Sequence, residues 1–324
     1  MAALGLRVDE ALIAVRAIHF ASTALTAGIL IFLVTVADPI FRCAGKSNGA
    51  WNALQSRSLY LAWAGLAFTA VSGAAWLAMQ TVAMSGQPIG EALAGGVLWI
   101  SLSKTQFGTV SVIRFALAVL LAISLALAGS RHGARLVSAV AATGLLVAIA
   151  WTGHAAGTVG PIGPLHLTAD ALHLLAAGAW IGGLVPLLLL LTAARQQNDQ
   201  IRVSPAFRAA RRFSNVGIVS VGSLLATGAI NSWILVGSFR GLIATDYGLL
   251  VLGKIALFTI MTSIAAVNRL RLTPRLSETP GSSLQVGASH GLIRNVVIEI
   301  TLGLTVFALV GVVGTLHPAI HIVQ

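Results

Sequence analysis

The chain is short of charge, cysteine and methionine, and each shortage closes off a class of function. Only 9% of its 324 residues are charged, where a soluble domain carries about 25%. No polar stretch is long enough to build a large soluble catalytic domain, so the chain is not expected to be an enzyme. The single cysteine, Cys43, excludes a disulfide framework and every CxxC metal or redox motif. A small-residue cleavage site is missing after the first apolar run, and Asp9 and Glu10 precede that run, so no removable signal peptide is expected. The run Gly248-Leu-Leu-Val-Leu-Gly253-Lys254 has the spacing of a phosphate-binding loop. It carries Ile255 where Ser or Thr is required and lies inside an apolar stretch, which excludes a nucleotide site. No tandem soluble repeat is evident.

Apolar residues, by contrast, make up 57% of the chain, and its mean hydropathy is +0.91. A helix needs about 20 mostly apolar residues to cross a bilayer. Eight runs meet that need: 11–36, 58–84, 107–129, 135–153, 167–194, 213–237, 247–268 and 292–314. The expected fold is all-α, a polytopic transmembrane helical bundle of about eight spans in one integral membrane domain over 1–324. The polar, basic loop from Thr192 to Arg212 divides it into four-span halves, 1–194 and 213–324. The segment from Pro88 to Thr105, short and broken by glycine, is expected to be a re-entrant or membrane-interfacial piece between spans two and three.

The net charge of +11 sits in short loops, so it reads as a topology signal rather than a nucleic-acid face. Fourteen of the 20 basic residues follow spans one, three, five or seven, among them Arg42, Lys46, Arg131, Arg202, Arg212, Arg269 and Arg294. The N-terminal tail and the even loops hold only Arg7, Lys104 and Arg240. The positive-inside rule then puts both termini outside.

With that orientation, six of eight histidines fall at or near the outer face: His19, His154, His166, His173, His317 and His321. At 1.5 Å per residue, His19 is about 12 Å into its span and His173 about 9 Å. A lone intramembrane histidine is often a satisfied core residue. Six on one side point to a pathway or site, because polar groups inside a bilayer are costly. The run His166-Leu-Thr-Ala-Asp170-Ala-Leu-His173 puts His166, Asp170 and His173 on one helical face. A carboxylate beside an imidazole is the usual neighbour of a metal-bound histidine, although Asp170 in a first turn would also suit the helix dipole. Met79 and Met84 lie at the same outer end, and thioether with imidazole suits copper, Cu(I) above all. Arg16, Arg114 and Lys254 fall inside spans, with Asp170 and Glu299 as candidate counter-charges and snorkelling as the simple alternative for Arg16. Arginine near paired histidines would also suit the carboxylates of a b-type haem.

Short motifs then run the length of the chain in order. They are Arg16-x-x-His19, Met84-Ser-Gly, Thr105-Gln-Phe-Gly108 with Arg114, Trp151-Thr-Gly-His154-Ala, and Asp170-x-x-His173 with Trp180-Ile-Gly-Gly. Arg212-Phe-Ser, Thr227-Gly-x-x-Asn231, Tyr247-Gly with Lys254, Asn268-Arg269 and Gly314-Thr-Leu-His-Pro-Ala-Ile-His321 follow. In this order and spacing they resemble the copper resistance protein D family of bacterial inner-membrane proteins. The chain departs from that pattern at His317, where proline is expected before Pro318, and in its scarcity of methionine.

The resemblance implies a multi-pass inner-membrane protein that moves or handles copper, working with a periplasmic copper-binding protein of the CopC type. On that basis His19, His154 and His173 are expected to form an intramembrane capture site, with Asp170 and Arg16 beside it. Met84, His166 and His321 would make the approach, and Cys43 would stand at the inner end. The outer loop from Gly153 to Leu167 and the tail beyond Gly314 would be the landing surface. Import could draw on the membrane potential, about 2.3 kcal/mol per charge per 100 mV. Two other readings stay open: a b-type haem electron-transfer protein, and a copper chaperone or sensor that binds without transporting.

Overall fold

The computed structural model describes residues 2–43, 49–94, 96–196, 205–276 and 282–322. Lys46, Asn198, Arg202 and Gln324 lie outside these residues, as do the side chains of Arg7, Asp9, Arg42 and Cys43. Eight helices are long and apolar enough to cross a bilayer: α1 (Glu10–Phe41), α2 (Gly49–Ser85), α3 (Gln106–Ala128), α4 (His132–Thr152), α5 (Gly163–Arg195), α6 (Pro205–Val236), α7 (Asp246–Arg275) and α8 (Ser283–Val313). Among the described residues there is no strand. The protein is an all-α polytopic bundle.

Several helices start earlier than their apolar runs. α2 begins at Gly49 rather than 58 and α8 at Ser283 rather than 292. The added turns carry buried polar side chains with partners on neighbouring segments: Gln55 donates to the carbonyls of Ala128 (3.1 Å) and Gly129 (3.0 Å), and Gln285 to that of Leu276 (3.2 Å). A hydropathy window stops at such residues, but a satisfied amide lets the helix continue. Pro88 to Thr105 does not cross: two short helices, Ile89–Leu93 and Gly96–Lys104, present Ile89, Trp99 and Ile100 outward before α3 begins.

α1 and α5 are the enclosed pair, with 72% and 67% of their central stretches buried against 11% for α7. α1 packs on α2, α4, α5 and α8, and α5 on α1, α6 and α8. Glycine sets their crossing. A Cβ on Gly182 would stand 2.7 Å from the Ala24 carbonyl oxygen and 2.8 Å from the Gly28 Cα, so only hydrogen fits there. The small-residue spacing Gly178-Ala-Trp-Ile-Gly182 is thus a packing surface, within a π-helical turn that widens α5. On the outside, Phe68, Val71, Phe115, Val140 and Trp233 are exposed, an apolar surface suited to lipid.

Toward the C-terminal end of α1, Asp38 accepts from Arg135 (3.2 Å) and pairs with His132 (2.7 Å), while Arg135 also lies over Trp51. Across the halves, the Arg212 Nε–H donates to the Thr35 carbonyl at 2.7 Å, in the π-helical turn Leu33–Ala37 of α1. The tail after α8 is packed rather than free. Ala319 is fully buried with Val236, Tyr247, Val251 and Val313.

Candidate functional site

Three of the histidines share one arrangement, set by hydroxyl neighbours. His19 on α1 meets the Ser72 hydroxyl of α2 through Nδ1 at 2.9 Å, and that hydroxyl donates to the Phe68 carbonyl. His173 on α5 meets the Thr227 hydroxyl of α6 through Nδ1 at 2.9 Å, and Thr227 donates to the Ser223 carbonyl at 2.6 Å. His166 meets the Thr158 hydroxyl through Nδ1 at 2.7 Å, and Thr158 donates to the His154 carbonyl. A hydroxyl has one proton, so each of these must accept from the imidazole. Nδ1 then carries the hydrogen, and Nε2 is left with its lone pair.

His154, in the loop after α4, fits the same pattern. It has a hydrogen bond to the backbone of Val313, and its Nε2 is buried with no partner. Burial pushes its imidazole below the ordinary histidine range, and the charges of Arg16, His317 and His321 add to that effect. It stands 6.2 Å, edge to face, from the Tyr247 ring of α7. His154 from the first half therefore lies against Val313 and Tyr247 of the second, within electrostatic reach of His166, His317 and His321.

The surroundings of His19 and His173 differ sharply. At His19 an Arg114 N–H of α3 donates to Nε2, occupying the lone pair. Arg16 and Arg114 lie over the Trp76 ring, at 5.0 and 6.0 Å from its centroid. At His173 the neighbours are Asp170 and Lys254, which interact with each other electrostatically. Asn231 donates its amide to Asp170 at 3.5 Å, and its own carbonyl oxygen is buried without a partner.

Several expectations need correcting. Asp170 does not orient His173. Thr227 does, because both side chains face α6 but meet it at different turns. Nor is Asp170 a first-turn residue, since α5 starts at Gly163 behind Pro164. Arg16 does not snorkel: it is 8% exposed and its guanidinium lies against Gly314. Glu299 is no counter-charge to a buried cation. It accepts from Asn268 at 2.6 Å and borders a cavity of about 260 Å³ among α5 to α8, lined on α5 by residues that follow His173. Met84 is exposed at the last turn of α2, and His321 is exposed on the turn Ala319–His321. Among the described residues, no three His, Cys, Asp or Glu side chains converge as a metal site.

Reading the sequence missed the roles of Ser72, Thr227, Asn231 and Trp76, and also a repeat. Thr105-Gln-Phe-Gly108 precedes Arg114 by the same spacing as Thr245-Asp-Tyr-Gly248 precedes Lys254. Both threonines cap their helix by accepting from the glycine N–H, at 2.9 and 3.0 Å, and both donate back to a carbonyl four residues earlier at 2.6 Å. Ser72-Gly73 and Thr227-Gly228 match as well, each glycine lying beside an imidazole edge. The signal was this repeated spacing, hidden because hydropathy looks alike in every span.

Comparison with known proteins gives a consistent result. Residues 207–313 match the family described as copper resistance protein D, and residues 7–164 match the copper resistance protein D-like N-terminal domain. The chain is 30% identical over 308 residues to the inner membrane protein YebZ of Escherichia coli (strain K12), covering 94% of this chain and 98% of that one. It is 30% identical over 238 residues to copper resistance protein D of Pseudomonas syringae pv. tomato, covering 70% and 76%. With the copper transport protein CutJ of Bacillus subtilis (strain 168) it shares 32% identity over 255 residues, 76% of this chain but 45% of that longer protein. No solved structure matches the chain. With eight apolar spans and a relative alike from end to end, the chain is a multi-pass inner-membrane protein, and it belongs to the copper resistance protein D family.

Proposed function

We propose that the protein takes copper at the outer face of the inner membrane and passes it inward, as an integral unit of two four-span halves with both termini outside. The names of its relatives supply the metal. The observation that carries the site is the set of imidazole Nε2 lone pairs at one end of the bundle, each left free because Nδ1 is the donor. Neutral imidazole with a fixed tautomer is the form that ligates a soft metal. His154 and His166 receive copper at the rim, with His321 and Met84 on the approach. His173 holds it within the membrane, beside the Asp170 carboxylate and the Asn231 carbonyl oxygen. His19 joins this set only when Arg114 withdraws from its Nε2. The cavity bordered by Glu299 lies below His173 and would receive the ion on its way in. Delivery is by a soluble periplasmic copper-binding protein of the CopC type, landing on the loop that carries His154.

Three measurements on the full chain test this reading. Elemental analysis of purified protein should find copper, and the absorption spectrum should lack a Soret band; haem without copper would replace the reading with electron transfer. Proteoliposomes should accumulate Cu(I) when the potential is inside-negative. Copper that binds without entering would make the protein a chaperone or sensor. Reporter fusions at Gln324 should read periplasmic and fusions near Asn198 cytoplasmic, and the reverse pattern would turn the histidines to the wrong side.

A further inference from the structure

The second half balances its buried charge, because Lys254 lies with Asp170. The repeat brings Arg114 to the corresponding place in the first half. Three residues before the histidine, however, Arg16 stands where the second half has Asp170. Two guanidinium ions are thus enclosed together, each 8% exposed, and among the described residues neither has a carboxylate in ion-pair range. His19 is an acceptor for one N–H and supplies no negative charge. The face of Trp76 offsets only part of the cost of burying two cations.

The hydrogen-bond inventory points the same way. Three N–H groups in this cluster are buried without an acceptor: Arg16 Nε, Arg114 Nε and Trp76 Nε1. Trp76 is 1% exposed, so its indole N–H has no recourse to water. Beside Asp170 and His173 in the second half, the unpartnered atom is of the opposite kind, the carbonyl oxygen of Asn231. The cluster around Trp76 leaves donors unmet, and the one around Asp170 leaves an acceptor unmet. Buried donors with net positive charge call for an anion.

We propose that Arg16, Arg114 and Trp76 form a binding site for a small monovalent anion of the halide type in the outer part of the first half. The two guanidiniums supply charge-assisted hydrogen bonds and the indole N–H a third contact. The anion offsets one of the two positive charges, the part that Asp170 plays toward Lys254 in the second half. This site meets the imidazoles only at His19, through Arg114, and stands whether or not copper binds at His154, His166 and His173.

The test uses the purified full chain in detergent, kept in gluconate and titrated with bromide, a heavy-atom quencher of tryptophan. Wild type should show a saturable component of quenching, and Trp76→Phe should lack it. Arg16→Gln and Arg114→Gln should each weaken it by about tenfold or more, as expected for losing one charge-assisted bond. Chloride should raise the unfolding midpoint of wild type above that in gluconate of equal ionic strength. Linear quenching of equal slope in wild type and Trp76→Phe would overturn the proposal, as would a midpoint indifferent to chloride. A Soret band that Arg16→Gln abolishes would overturn it too, by giving the guanidiniums to haem carboxylates. If the arginine variants do not fold, Trp76→Phe and the chloride dependence of wild type still decide.

Discussion

In α1–α4, His19 is bonded through Nδ1 to Ser72 and meets Arg114 at Nε2. In α5–α8, His173 is bonded through Nδ1 to Thr227 and has Asp170 and Lys254 for neighbours. The scaffold is the same: a histidine on the enclosed helix, a hydroxyl followed by glycine on the next, and a basic side chain on the third. The electrical character differs, because Arg16 and Asp170 occupy the same step before the histidine. A helix places residues three apart on one face, so a single side chain there decides whether the imidazole sits among cations or beside a carboxylate. The comparison teaches that a repeated arrangement of histidine, hydroxyl and basic side chain can hold unlike chemistry.

The largest effect is expected where the two halves meet. Gly182→Val puts a branched side chain where the Ala24 carbonyl and the Gly28 Cα leave no room. A loss of about 3 kcal/mol or more is expected, seen as missing monodisperse protein on size exclusion. A normal elution profile would show that α1 and α5 can separate without unfolding either half.

Next comes the contrast between the two deep histidines. His173→Ala is expected to remove bound copper from folded protein, and His19→Ala to leave most of it, since Arg114 already occupies that lone pair. Equal loss in both variants, measured as copper per folded chain, would break the comparison.

The hydroxyls sharpen it further. Thr227→Ala frees His173 to rotate, and losing an orienting partner of this kind weakens metal binding about 10–100-fold. Ser72→Ala, its counterpart, should leave copper affinity unchanged, and competition with a Cu(I) chelator measures both. The smallest effect is expected at the rim. His321→Ala should slow loading from a periplasmic carrier without changing the amount bound at equilibrium, because His321 is exposed and far from enclosed. Trimming the tail is a poorer test than it looks from sequence, since Ala319 is part of a buried cluster.

Much of the fold was legible in the chain. Eight spans follow from hydropathy, and the spacing of Gly178 and Gly182 marks a helix-packing face, though not that α1 is its partner. The extra turns at Gly49 and Ser283 were not legible, because Gln55 and Gln285 look like loop residues until their acceptors are known. At the site, the histidines and Asp170 stood out as rare polar groups in an apolar chain. Ser72 and Thr227 did not, since Ser and Thr commonly bond to their own helix carbonyls and carry no signal by themselves. The repeat of Thr105 to Arg114 in Thr245 to Lys254 was present throughout, but both copies read as ordinary starts of apolar runs.

The sequence by itself determined that the chain lies in a bilayer, how many times it can cross, and that its histidines gather toward one end. These are properties of composition and order along the chain, and they need no knowledge of which helices touch. The tertiary structure alone decided which imidazole nitrogen is free, which is covered by Arg114, and which buried N–H groups lack an acceptor. Those depend on side chains more than fifty residues apart meeting across helix faces. In a medium without water, every such meeting decides whether a polar group is satisfied or left open to a ligand.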